Sequence, residues 1–365
     1  MMDHRFAALA LVCAASIAAT GCAGPEKIRG ELRYGMEDSR DGKRVFFPPP
    51  PDVPRLAYAG ELIGERNFVH ERAKKGLGSR ILDALTGVSE DARPLELLRP
   101  QAVVTDAEGR VWVTDVGQAA VFVFDTVEGE ARLLRNADGQ KSFITPSGIA
   151  IGPEGRVFVA DADAGFVAQL DATGRTFAPI GAGLFKRPAG VSYDKSQKRL
   201  FVADSAEHVV KVFDLEGRLL MTIGKPGDAP GDFNRPTHLA IWRNELFVSD
   251  TFNARIQVFD LDSGIPLRTF GTRGTYVGQM ALPKGVALDS EGNVYVIESL
   301  HDHMLVFDRK GQFLLPIGGT GYGTGAFYLP AGLWVDEGNR IYVADMYNGR
   351  VVTYLYLGSE SESGE

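Results

Sequence analysis

Cysteine is almost missing: Cys13 and Cys22 are the two in 365 residues. No framework of internal disulfides can be built from them, and without a C-x-x-C-H motif no c-type haem can be attached. Positive charge is also short, with 39 Lys and Arg against 47 Asp and Glu and a net charge of −8. That balance argues against a nucleic-acid partner, which needs clustered positive charge. No G-x-S-x-G, Walker A or H-E-x-x-H signature occurs, so the elbow serine hydrolases, P-loop enzymes and zincins lack their motifs. The apolar run from Phe6 to Ala19 is too short to span a bilayer.

That run belongs to a leader. Residues 1–21 carry one Arg, an apolar stretch and small residues before Cys22, the pattern of a signal peptide. The tail Ala19-Thr20-Gly21-Cys22 resembles the lipobox of bacterial lipoproteins, which implies lipidation of Cys22; the alternative is an ordinary secreted protein cut near the same place. Cys13 leaves with the leader, so a single thiol at the new terminus fits acylation. Each buried methylene adds about 0.8 kcal/mol to anchoring. Ala23 in place of Asp implies, by resemblance to lipoprotein sorting, the outer membrane, with the body facing the periplasm or cell exterior. Residues 22–54 form a polar tether ending in VFFPPPPDVP, where Pro48 to Pro51 predict a stiff polyproline II rod holding the body off the membrane. Residues 357–365 form an acidic tail, expected to be disordered.

What is present in quantity is glycine, 43 residues, with 19 prolines. Prolines open a recurring phrase at 100, 146, 188, 236, 283 and 330, as in TPSGIAIG, RPAGVSYD, LPKGVALD and LPAGLWVD. Within each copy four short apolar runs are separated by Asp/Gly turns such as SEGN and RKGQ. Such spacing predicts a four-stranded antiparallel meander, with strands a to d. Six units arranged radially make an all-β six-bladed propeller.

The phrases VFVADADAGFVAQLD, LFVADSAEHVVKVFD, LFVSDTFNARIQVFD and IYVADMYNGRVVTY resemble those of NHL-repeat proteins, and more narrowly of six-bladed bacterial NHL lipoproteins. The propeller is expected over 55–356. Its sixth copy ends after three strands, and RLAYAGELI at 55–63 reads like a fourth strand, so the N-terminal strand is expected to close the ring and remove its edge. Residues 64–99 form an insertion in which SRILDALTG has helical spacing.

An up-and-down order puts the short a–b and c–d turns on one face, the bottom, and the b–c turns with the longer Gly-rich d–a connections on the other, the top. Asp115, Asp161, Asp204, Asp250, Glu298 and Asp345 end the b strands as a ring of carboxylates. They suit either a Ca²⁺ site or, more simply, turns accepting backbone N–H groups. Asp125, Asp171, Asp214, Asp260 and Asp308 read as turn residues.

The histidines do not follow the repeat. His238 replaces the glycine of the phrase in RPTHLAIW, and an acidic channel mouth would favour its protonation. With Arg235, Lys284 and Arg187 it forms the candidate ligand- or partner-binding set on the top face. The alternative is a Zn²⁺ set drawn from His208, His238, His301 and His303, as the NHL fold of the peptidyl-hydroxyglycine amidating lyases implies, or a central Ca²⁺ as in lactonase propellers, although the wider patterns of both families are not seen here. The resulting expectation is a lipid-anchored binding or assembly module for an envelope protein or small ligand, with no catalytic residue assigned. Resemblance adds multihaem cytochromes as partners. The alternative is a metal-dependent hydrolase or lyase with its site at the top of the channel.

Overall fold

A computed structural model describes residues 29–35, 45–70 and 94–358. Strand a of blades 1 to 6 is Pro100–Thr105, Pro146–Ile151, Pro188–Asp194, Pro236–Trp242, Pro283–Leu288 and Leu333–Val335. Each of the first five blades is a four-stranded antiparallel sheet in sequence order, and neighbouring a strands pack around a common axis. Strands b and c are sandwiched between blades, so they read as continuous apolar runs: VWVTD and AVFVFD of blade 1 are buried throughout. The outer strands face solvent on one side, as the exposure of Leu219 and Leu220 in LLMTI shows.

The ring closes as the repeat count implies. Arg350–Tyr356 pairs antiparallel with Leu56–Leu62, which supplies the fourth strand of blade 6. A fifth, Phe46–Phe47, pairs with Leu56–Leu62.

This fifth strand corrects the reading of the tether. Pro48–Pro51 lie in the turn between two antiparallel strands, so they are no free-standing rod. The driving force is burial of the aromatics before them: the Phe47 ring stands edge-on to Tyr354 at 5.7 Å. Farther back, Glu31–Leu32 pairs with Phe68–Val69, and the Glu61 N–H donates to the Tyr34 carbonyl at 2.7 Å. Much of the expected spacer therefore packs on the body. Within the described parts of the 64–99 insertion the helical structure is one 3₁₀ turn, Glu65–Asn67. The leader, Cys22, SRILDALTG and the tail beyond Gly358 lie outside the described residues.

Short turns follow one chemistry. Asp289 Oδ1 accepts the N–H groups of Glu291 and Asn293 at 3.0 Å, and Gly292 takes the left-handed conformation (φ 88°) that the turn needs. The longer d–a connections are pinned by a residue three before each phrase proline. Leu97, Phe143, Phe185, Phe233, Met280 and Phe327 are all buried.

Candidate functional site

The six carboxylates at the ends of the b strands are at most 1% exposed. Asp161 accepts the N–H groups of Ile144, Thr145 and Ala164 at 2.7, 2.9 and 3.1 Å, and Asp115 and Asp204 repeat the arrangement. Glu298, one methylene longer, accepts from Ala281, Leu282 and His301. Lys211, Arg255 and Arg350 of the c strands bond the carboxylates of blades 3, 4 and 6. These oxygens hold each d–a connection against its blade, as the turn reading requires. Burial raises the pKa of Asp345 above the usual carboxylate range, against the opposing hydrogen bonds of Tyr328, Asn348 and Arg350.

The histidines are separately engaged. His208 Nδ1 accepts the Arg235 N–H at 3.2 Å, His301 Nδ1 bonds Glu298 at 2.7 Å, and His303 lies in a strand opposite Gly318. Among the described residues no group of three or more His, Cys, Asp or Glu is placed to hold a metal ion. The set His208, His238, His301 and His303 is therefore not brought together.

At the level of His238 the a strands nearly touch. A Cβ on Gly148 would come within 2.4 Å of Ala189 O, on Gly190 within 2.5 Å of Thr237 O, and on Gly332 within 2.4 Å of Gln101 O. At these blades a side chain would strike the next strand, which explains the glycine of the phrase there, while blade 1 accommodates the single methyl of Ala102. Blade 4 carries an imidazole instead, half-buried and lining the axial channel. Below this level the channel is a cavity of about 440 Å³ that runs to the a–b turns at Asp194, Lys195, Ser196 and Arg243. It thus opens on the bottom face, and His238 lies at its inner end.

The surroundings of His238 correct the expected acidic mouth. Its Nδ1 lies 3.0 Å from Thr237 Oγ1. Burial pushes its pKa down to about 3, and the nearby Lys284 charge pushes the same way. No carboxylate faces it within ion-pair distance among the described residues, so the imidazole is neutral at physiological pH. Burial also lowers the pKa of Lys284. Arg235 is exposed, its guanidinium 5.3 Å from the Phe252 ring centroid, and Arg187 is ion-paired with Asp163. The four residues of the set therefore do not face one cavity: His238 alone lines the channel.

The top face also carries an aromatic cluster that the pattern of histidines does not mark. Tyr322, Tyr328 and Tyr347 are exposed and meet edge to face, with centroids 6.2 and 5.5 Å apart. Tyr276, Phe252 and Leu300 are exposed on the same half, over blades 4 to 6. The signal was present in the repeat: two residues after the strand-b carboxylate stand Gly117, Asp163 and Ala206 in blades 1 to 3, but Phe252, Leu300 and Tyr347 in blades 4 to 6.

Comparison with known proteins agrees with this architecture. Residues 184–274 and 286–362 match a family model described as a 6-bladed beta-propeller. NHL repeat-containing protein 2 of Gallus gallus is 30% identical over 157 residues, 34% of this chain and 22% of that protein. A probable peptidyl-alpha-hydroxyglycine alpha-amidating lyase of Caenorhabditis elegans is 25% identical over 287 residues, 70% of this chain and 78% of that one. The matches span only 13% and 22% of the length of the first curated relatives. A solved gluconolactonase from Xanthomonas campestris superposes with a TM-score of 0.53 at 17% identity, over 86% of this chain and 100% of that one, a likeness of fold. The repeat phrase, the six sheets, the closure by an N-terminal strand and these matches together make the chain a six-bladed β-propeller of NHL-type repeats.

Proposed function

We propose that the protein is a binding and assembly module of the bacterial envelope, held at the outer membrane through a lipidated Cys22 and presenting the top of its propeller to a protein partner. The observation that carries this reading is the exposed Tyr322, Tyr328 and Tyr347 cluster; on blade 4 of the same face Phe252 is also exposed, with Arg235 over its ring and Arg273 donating to its carbonyl. Tyrosine and arginine are the residue types enriched where protein interfaces concentrate their energy, and an exposed aromatic group of this kind is uncommon on a surface with no partner. A multihaem cytochrome assembly is the first partner to test.

A photo-crosslinking residue in place of Tyr347, compared with one in place of Leu220 on an outer strand, tests the reading in intact cells. The top position is expected to give a discrete, haem-staining adduct that Tyr322→Ser with Tyr328→Ser abolishes. Equal adducts from both positions, or none from Tyr347, would overturn the docking face. Stoichiometric Zn²⁺ or Ca²⁺ in the purified protein would favour a metal-dependent hydrolase or lyase instead.

A further inference from the structure

The wall of the axial channel is made largely of backbone. Each a strand lies at the end of its sheet and is paired on one edge only, so its free edge faces the axis. Runs of consecutive residues therefore line the channel, as in His238 to Ile241 and Gly190 to Ser196. Side chains such as Ile149, Val191, Leu239, Val286 and Leu333 turn instead into the cores between blades. Every second residue of a strand in an antiparallel pair points its N–H and C=O away from the partner strand. Below the His238 level no backbone–backbone hydrogen bond joins neighbouring a strands among the described residues. The Leu239 carbonyl accepts from Ser192 Oγ at 3.3 Å, and the remaining edge groups face the cavity of about 440 Å³. A hydrocarbon guest would leave them unsatisfied. Hydroxyl groups, each both donor and acceptor, replace water on them one for one. His238 at the inner end suits the same guest, because a neutral imidazole can meet a hydroxyl as donor or as acceptor in either tautomer.

The opening adds charge of one sign. Three charged side chains line it, Asp194, Lys195 and Arg243. Asp194 is buried and already neutralised, its Oδ2 accepting from Arg199 Nε and Nη2 at 3.0 and 2.8 Å. The Arg243 guanidinium stands 4.2 Å from the Trp242 ring centroid and has no hydrogen-bond acceptor or carboxylate partner among the described residues. Lys195 reaches across the opening from blade 3 to Glu337 of blade 6, 3.4 Å away, with the two side chains 81% and 97% exposed. Ion pairs so exposed contribute little and exchange readily. On a chain of net charge −8 this opening attracts anions. A carboxylate there would bond Arg243 and take the place of Glu337 on Lys195.

We propose that the axial channel binds a small polyhydroxylated carboxylate, a sugar acid, which enters from the a–b turn face, sets its hydroxyls against the free strand edges and His238, and leaves its carboxylate at the opening on Arg243 and Lys195. The site opens on the face opposite the aromatic docking surface and does not rest on it.

The test titrates the full-length protein by calorimetry with D-galacturonate, D-galactose and cyclohexanecarboxylate, six-membered rings that carry both features or only one. Galacturonate is expected to bind at least about tenfold more tightly than either of the others, the effect of losing the charge-assisted bonds or the hydroxyl contacts. Arg243→Gln, a change in an exposed turn, should weaken galacturonate about tenfold and leave galactose within about twofold. Glu337→Gln removes the competitor for Lys195 and should tighten galacturonate. Equal or tighter binding of galactose or cyclohexanecarboxylate by the wild-type protein overturns the proposal, as does the absence of binding by galacturonate or an Arg243→Gln variant that binds it as the wild type does. A Glu337→Gln variant that binds galacturonate no more tightly than the wild type would overturn the part given to Lys195.

Discussion

Arg350 and Glu61, from opposite ends of the chain, meet at 2.7 Å across the seam that closes the ring. The same guanidinium donates to the fully buried Asp345 at 2.9 Å and to the carbonyls of Tyr322 and Ala326, so one side chain joins the seam, the carboxylate ring and the last top loop. Removing it leaves Asp345 buried without its counter-charge. Arg350→Gln is expected to cost about 3–5 kcal/mol. Glu61→Gln should cost about 1 kcal/mol or less, because that carboxylate is 29% exposed. Urea midpoints of the two variants check the order, and equal losses would mean that the Asp345 contact contributes little.

The packing of the N-terminal segment alters what truncation should do. Removal of residues up to 44 takes away Glu31–Leu32, its partner strand for Phe68–Val69, and the Tyr34 carbonyl that accepts from Glu61. A measurable fall in melting temperature is expected, where a free spacer would give none. Deleting residues 55–63 should be far worse, because it exposes the edge of Arg350–Tyr356. Soluble, monomeric protein from that second deletion would show that the seam is dispensable.

The blades were legible because each repeat states the same physics. A phrase proline, an Asp or Glu closing strand b and an Asp/Gly turn recur at nearly constant spacing, and the unpaired sixth copy required a strand from elsewhere. The site was less legible for reasons specific to its residues. His238 stood out as a break in the glycine pattern, but its environment depends on which side chains neighbouring blades turn toward it. The ring of carboxylates suggested acidity, yet those groups face the backbone N–H groups of their own blades. They do not face the channel. Four consecutive prolines likewise suggested a rod, and the two phenylalanines before them decided for a strand.

Membrane attachment is tested apart from the fold. Cys22→Ser should release the protein from membranes into a soluble fraction while leaving its melting temperature unchanged, since Cys22 lies well before the first described strand, Glu31–Leu32. Retention on membranes after a high-salt wash would show that something other than a lipid at Cys22 holds it there.

His238→Gly restores the residue that four other blades carry, and it separates a spacer from a titrating site group. The folded-state pKa is about 3, against an ordinary value of 6.5, so between these values the unfolded chain binds more protons than the folded one. Stability must therefore fall as pH drops through 6.5 and stop falling on this account below about 3. Carboxylates with lowered pKa add their own acid losses. At Asp194, for example, burial acts upward but is outweighed by the hydrogen bonds from Ser196 and Arg199. The informative quantity is thus the difference between variant and wild type. The variant is expected to lose about 1–3 kcal/mol at pH 7 through the space left between blades 4 and 5, and that deficit should shrink steadily toward pH 4. A deficit constant with pH would mean that His238 is not held neutral by its surroundings and acts only as a filler.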